Sequence, residues 1–229
     1  MSEFKEFPKI ARLNRDIVIT EKIDGTNAAI IIEENVLGTP ELTGTNGRTS
    51  DGLFYVTAQS RNRLLAPGKG TDNFGFAQWV EENKDALALL GSGHHFGEWY
   101  GQGIQRGYGL SRKHFALFNV ARWSFDEEQA KVFQKVSALV PGLELVPVLY
   151  RGPWTVPAVD PVFSEDATEE AIADLRMRGS TAAPGFMQPE GIVVFHSASR
   201  QLFKVTCEKD EAAKGSYPGM HNQKEENPV

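Results

Sequence analysis

Residues 17–34 read IVITEKIDGTNAAIIIEE, and this stretch sets the fold class. IVITEK (17–22) is a β-branched, apolar run that predicts a strand, DGTN (24–27) predicts a tight turn, and AAIIIEE (28–34) predicts a second strand pairing back on the first. Lys22 stands at the end of the first strand, just before the glycine turn, where its amine emerges from the sheet into a cleft. A lysine with an ordinary pKa of ~10.4 is only about one part in a thousand neutral near physiological pH, so a nucleophilic lysine needs desolvation or neighbouring cations. A strand end inside a cleft supplies that setting. The same seven residues, 21–27, are also compatible with a plain hairpin carrying a surface lysine.

Outward from this hairpin, residues 35–52 are rich in Gly, Thr and Asn with no period, and read as a surface loop. LFYVTAQS (53–60) reads as a strand. Phe76, Val80, Leu87 and Leu90 recur at helical spacing over 76–90. HHFGEWYG (94–101) and HFALFNVARW (114–123) read as buried strands, 127–140 as an amphipathic helix stopped by Pro141 and Gly142, 143–150 as a strand and 165–178 as a helix. GIVVFH and LFKVTC form a last pair of strands around 197–200. Together these predict one mixed α/β domain over 1–229 with much antiparallel sheet, ending in a loose polar tail at about 210–229.

The 229 residues, 41% hydrophobic and 24% charged, suffice for a sizeable core. No apolar run reaches membrane-span length and the start lacks a secretory pattern, so the expectation is a soluble protein with no membrane partner. The single cysteine, Cys207, forms no internal disulfide, which fits a reducing, cytoplasmic setting. A net charge of −6 argues against holding nucleic acid by bulk electrostatics. Local basic faces remain, either around Arg61, Arg63 and Lys69 or around Arg106, Arg112 and Lys113. His94-His95 lacks a third ligand at metal spacing and reads as structural. The glycine-rich GQGIQRGYG (101–109) does not fit a P-loop and reads as a mobile loop.

Six short motifs fall in a familiar order. EKIDGTN (21–27) resembles motif I of the covalent nucleotidyltransferases, the RNA ligases, DNA ligases and mRNA capping enzymes, which share Lys-x-(Asp/His)-Gly. Ser60-Arg61-Asn62-Arg63 resembles motif Ia, Phe96-Gly97-Glu98-Trp99 motif III and Phe115-Ala116-Leu117-Phe118-Asn119 motif IIIa. Glu190-Gly191-Ile192-Val193-Val194 resembles motif IV and Leu202-Phe203-Lys204-Val205 motif V. Asn27 and the Phe-Gly-Glu form of motif III point to the ATP-dependent RNA ligase branch. Asp-Gly-Thr also resembles the aspartate-nucleophile phosphohydrolases, but Lys22 occupies their nucleophile position and removes the carboxylate that chemistry requires.

The resemblance implies a nucleotidyltransferase, ATP-grasp-like ligase catalytic domain, α+β, with mainly antiparallel sheets flanked by helices. It implies a polynucleotide ligase using ATP and Mg²⁺ or Mn²⁺ on nucleic acid with 5′-phosphate and 3′-hydroxyl ends, RNA ahead of DNA. Lys22 would become lysyl-AMP, Lys204 would sit on the α-phosphate, and Glu190 would organise the metal or Lys204. Glu98 would accept from a ribose hydroxyl, Phe118 would stack on adenine, and Arg61 would contact ribose or a 5′-phosphate. Glu21, Ile23, Asp24, Gly25 and Asn27 would frame the nucleotide. A small DNA ligase, a GTP-using capping-type enzyme and a non-catalytic nucleotide- or RNA-binding module are the alternatives. Two departures stand out. Thr206 occupies the position where the family usually carries a second motif V lysine. The roughly 25 residues after motif V are too few for a C-terminal OB-fold, which leaves either a separate accessory protein or a substrate held mostly by the catalytic domain.

Overall fold

The computed structural model describes residues 4–36, 46–155 and 166–208. Strand β1 (Asp16–Lys22) is followed by β2 (Thr26–Glu34), β3 (Asn46–Arg48), β4 (Phe54–Ser60), β5 (Leu64–Leu65) and helix α1 (Phe76–Leu87). Then come β6 (Gly93–Gly101), β7 (Lys113–Leu117), α2 (Glu127–Leu139), β8 (Leu143–Leu145), β9 (Val148–Pro153), α3 (Ala167–Arg178), β10 (Gly191–His196) and β11 (Gln201–Thr206). The expected tail at 210–229 and half of the expected 35–52 loop, residues 37–45, lie outside the described residues. The end of that loop forms β3.

The strands make two sheets, ordered β11-β10-β1-β9 and β3-β4-β2-β6-β7-β8, with β5 beside β4. All pairings are antiparallel except β7 with β8. The expected hairpin between β1 and β2 does not form: β1 pairs with β9 and β10, whereas β2 pairs with β4 and β6. The turn explains this. Asp24 N–H donates to the Tyr108 hydroxyl (2.7 Å) and Gly25 N–H to Glu98 Oε1 (3.2 Å), so these amides bond to side chains and not to cross-strand carbonyls. A Cβ on Gly25 would lie 2.5 Å from the Trp99 carbonyl oxygen. Only glycine lets the turn lie on β6 and pass the chain from one sheet to the other.

Three apolar clusters stack the layers. Ile17, Ile19, Ile192 and Val194 bury against Ala167, Ile172 and Leu175 of α3, on the outer face of the smaller sheet. Ala28, Ile30 and Ile32 bury against Phe76, Val80 and Leu87 of α1 and Phe133 and Val136 of α2, on the outer face of the larger sheet. Between the inner faces lie Ile23, Tyr100, Tyr108, Ala116, Val120 and Val146. The antiparallel sheets flanked by helices match the expected class. Each large side chain buried in these layers contributes about 1.5–3 kcal/mol. Among the described residues no helix is long and apolar enough to cross a membrane.

Two expected strands are corrected. The 143–150 run divides at Pro147, which has no N–H for a ladder. Val146 N–H donates to the Leu117 carbonyl (3.1 Å) while the Pro147 carbonyl accepts from Glu21 N–H (2.9 Å), so β8 joins the larger sheet and β9 the smaller. The 114–123 run ends as a strand at Leu117 and winds into a wide π-type turn at Ala121–Phe125. Asn119 Oδ1 accepts from Arg122 N–H (3.1 Å) and Trp123 turns into the core. The 165–178 helix starts with Asp166 as its N-cap, the carboxylate accepting from Thr168 N–H at 2.8 Å.

Candidate active site

Strand alternation divides β1 into two faces. Ile17, Ile19 and Glu21 face α3, while Val18, Thr20 and Lys22 face the larger sheet. Lys22 therefore closes the strand on its inner face, opposite Gly191 of β10, which is itself opposite Thr206 of β11. A Cβ on Gly191 would sit 2.1 Å from the Val205 carbonyl oxygen, so glycine here is required for β11 to approach. Lys22 Nζ forms an ion pair with Glu190 Oε1, both side chains about four-fifths buried. Glu190 Oε2 is buried and has no hydrogen-bond partner among the described residues. Such an oxygen fits a divalent cation that takes one or two carboxylates and completes its shell with substrate phosphates and water. Among the described residues no group of three or more His, Cys, Asp or Glu side chains forms a complete cage.

The inner face of the larger sheet supplies a floor. Its first row pairs Asn27 with Glu98 and Glu98 with Ala116; the next pairs Gln59 with Ala29 and Ala29 with Phe96. Phe118 N–H donates to the Phe96 carbonyl (3.0 Å), which puts the two phenyl rings on neighbouring strands. Both stay exposed, Phe96 at 47% and Phe118 at 40%. Two exposed rings, one on β6 and one just past the end of β7, beside small Ala29 and Ala116, leave room for a flat apolar ligand. His94 stacks on Phe96, extending the row, while His95 is buried, shares a hydrogen bond with the Gly91 carbonyl (2.8 Å) and has its pKa lowered by burial.

Other expected site residues take different positions. Ile23 is buried between the sheets, and Asp24 pairs with Arg106 (3.0 Å). Glu21 is only 1% exposed and points away from Lys22. Its carboxylate accepts from the Ser180 hydroxyl (2.5 Å) and from Thr181 and Ala182 N–H (both 2.8 Å). Burial raises its pKa against the pull of those donors. Arg61 is exposed, one residue beyond β4. Lys204 is exposed on β11, opposite Val193 and on the same face as Lys22, two residues from the Thr206 row. Thr206 donates to the Glu208 carbonyl (2.8 Å). Of the two basic stretches, Arg63 donates to the Thr71 and Asp72 carbonyls, Lys113 to the Phe74 carbonyl, and Arg106 turns inward. Sequence reasoning missed Arg106, Tyr108 and the 180–182 backbone as parts of the site. They lie about 80 to 160 residues from their partners, and only the glycine-rich setting of Arg106 and Tyr108 drew attention.

Glu98 is the titratable group most perturbed within the normal range. Burial pushes its pKa from 4.5 up to about 7, against the opposing pull of Lys22 and of the Gly25 N–H. The folded chain thus holds this proton between about pH 4.5 and 7 where the unfolded chain has released it, so this contribution to stability is full below about 4.5 and lost as pH rises through 7. That interval corresponds to roughly 3 kcal/mol at about 1.36 kcal/mol per pH unit. Urea unfolding of the nucleotide-free protein at pH 5 and pH 8 is expected to show Glu98→Gln gaining about 2–3 kcal/mol on the parent between the two. Parallel pH dependence in the two proteins would refute the assignment.

The RNA ligase family model matches residues 15–206. Among solved structures, a mutant of Naegleria gruberi RNA ligase without ligand is similar at 17% identity and a TM-score of 0.50, over 83% of this chain and 49% of that one. Another mutant of the same ligase, solved with ATP and Mn, is similar at 15% identity and a TM-score of 0.52, over 84% of this chain and 50% of that one. At such identities the likeness is one of fold, and the chain spans about half the length of these ligases. Comparison with curated proteins found no match.

Proposed function

This chain belongs to the RNA ligase family, and from that membership we propose that it is an ATP-dependent RNA ligase whose adenylation domain charges Lys22 with AMP. The observation that carries the reading is Lys22, at the end of an inner-face strand, in contact with Glu190 above a floor holding Glu98, Phe96 and Phe118. Nucleotidyl transfer is chiefly positioning and charge neutralisation, and these residues supply it. Phe118, with Phe96 beside it, stacks the adenine, and Glu98 accepts from a ribose hydroxyl. Asn27, Asp24, Gly25 and Arg61 frame the nucleotide together with the backbone of Ile23, whose side chain is buried, and Glu21 contributes through its backbone carbonyl because its carboxylate is committed to the 180–182 segment.

Lys22 Nζ, as the neutral amine, attacks the α-phosphorus. An N–P bond forms as the P–O bond to pyrophosphate breaks. Lys204, on the same sheet face, stabilises the charge on the α-phosphate. Glu190 Oε2 would hold Mg²⁺ or Mn²⁺, which neutralises phosphate charge when bound. The Naegleria ligase forms solved with ATP and Mn support both ligands. AMP then moves to a 5′-phosphate and frees Lys22, and a 3′-hydroxyl attacks that phosphate and expels AMP. RNA is the preferred substrate over DNA, and the setting is cytoplasmic.

Incubation with Mg²⁺ and ATP labelled on the α-phosphate, beside a GTP lane, tests the reading. Acid-labile label that survives denaturing electrophoresis, from ATP and not GTP, is the expected result; a nicked RNA duplex then seals faster than nicked DNA. No label from either nucleotide, in folded and AMP-free protein, would instead make the chain a binding module.

A further inference from the structure

Residues 101–109, which read as a mobile loop, are packed. Ile104 and Tyr108 are buried, and Gln105 and Tyr108 hold positive φ angles of 45° and 54°. Non-glycine residues keep that conformation only where their surroundings over-determine it. The loop delivers two polar groups to the strand ends that carry Lys22 and Glu190. Tyr108 Oη accepts from Asp24 N–H (2.7 Å). Arg106 Nε donates to Asp24 Oδ2 (3.0 Å), while its Nη1 donates to the Gln188 carbonyl (2.9 Å) and reaches the Pro189 carbonyl (3.5 Å). Asp24 lies two residues beyond Lys22, and Pro189 immediately precedes Glu190. One guanidinium therefore joins, through the Asp24 carboxylate and the 188–189 carbonyls, the two segments whose side chains meet in the Lys22–Glu190 pair.

Building on the ligase reading, we propose that Arg106 is a positioning residue for lysine adenylylation, fixing Lys22 and Glu190 relative to each other by tying Asp24 to the 188–189 backbone. The chemistry of the side chain fits. A planar guanidinium donates in two directions from a rigid fork, whereas an ammonium is a point donor on a flexible stem. Charge points the same way: Asp24 and Glu190 both act on Glu98, which also feels Lys22, and Arg106 balances Asp24. Without it, an unpaired carboxylate would push the Asp24 turn away from its acidic neighbours and carry Lys22 with it. A displacement of about 1 Å at a reacting group costs on the order of 100-fold in rate.

The test uses the full chain as parent, Arg106→Ala, Arg106→Lys, Asp24→Asn and the Arg106→Ala/Asp24→Asn double variant, with folding checked by thermal melts. Hydrogen exchange in the nucleotide-free protein reads the clamp itself. Peptides covering 21–27 and 186–192 are expected to exchange about tenfold faster in Arg106→Ala, with 28–34 unchanged. Self-labelling at saturating ATP should fall about 100-fold while KM for ATP moves less than about threefold. Arg106→Lys should recover part of the rate, and the double variant should be no more than about threefold slower than Arg106→Ala, because both changes break one contact. Unchanged exchange in the two segments overturns the clamp, with or without labelling. A labelled parent whose Arg106→Ala form labels equally fast overturns the positioning role alone. A parent that takes no label sinks the ligase reading, while coupled exchange in both segments would still uphold the clamp.

Discussion

Lys22→Ala is expected to abolish self-labelling from ATP, a loss of about 10³-fold or more, while leaving the joining of a chemically pre-adenylylated RNA strand largely intact. The asymmetry follows from where the lysine acts. Only the first step forms a bond to Nζ; once AMP sits on a 5′-phosphate, the remaining displacement needs the cleft, its cations and the 3′-hydroxyl. Glu190→Ala should behave differently and depress both reactions by about 100-fold, because Glu190 contacts Lys22 through one oxygen and keeps a second, unpartnered oxygen for a cation. Label persisting in Lys22→Ala at another lysine would remove Lys22 as the nucleophile. Loss of pre-adenylylated joining in Lys22→Ala, with Glu190→Ala unaffected, would reverse the two roles. Stability should fall by on the order of 1–3 kcal/mol in Lys22→Ala, because the pair is largely buried yet retains some solvent contact.

Glu21→Ala carries the largest expected effect on folding. The side chain is buried and accepts three hydrogen bonds, from the Ser180 hydroxyl and from the amides of Thr181 and Ala182. Alanine leaves the buried Ser180 hydroxyl and two part-buried amides without their acceptor, at about 1–3 kcal/mol each. A loss of roughly 4–6 kcal/mol is a large share of the ~5–15 kcal/mol that stabilises a typical domain. The melting temperature should fall by about 10 °C or more, given ~2–4 °C per kcal/mol at this chain length. Glu21→Gln keeps one acceptor oxygen and should lose less. Labelling measured well below the melting temperature should survive in part, because the carboxylate faces α3 and not Lys22. A melting temperature within about 2 °C of the parent would show that the 180–182 segment finds other partners.

These two neighbours show what a one-dimensional reading reaches. Alternation along 17–22 places Lys22 and Glu21 on opposite faces, and a glycine turn after an apolar strand marks Lys22 as able to leave the sheet. Lys22, Glu98, Glu190 and Lys204 were legible as a set because their motifs lie in family order. The assignment of Glu21 to the nucleotide side was reached by motif position, and its three partners, some 160 residues away, leave no local trace. Likewise Arg106 reads as surface charge, whereas in the fold it binds the Asp24 carboxylate and the Gln188 carbonyl; Arg63 stays exposed but is tied to the Thr71 and Asp72 carbonyls.

Local chemistry by itself determined the strands on either side of Asp24-Gly25 and the helices over 127–139 and 167–178, since each depends on propensity and spacing within a few residues. Only the tertiary structure decided that β1 and β2 belong to different sheets, that 143–150 divides at Pro147 between those sheets, and that one loop arginine ties Lys22's turn to the entrance of Glu190's strand. Those outcomes rest on contacts between residues far apart in the chain. Their energies come from burial and hydrogen bonding that exist only once the layers have stacked, and no periodicity in the sequence encodes which distant partner will fill each place.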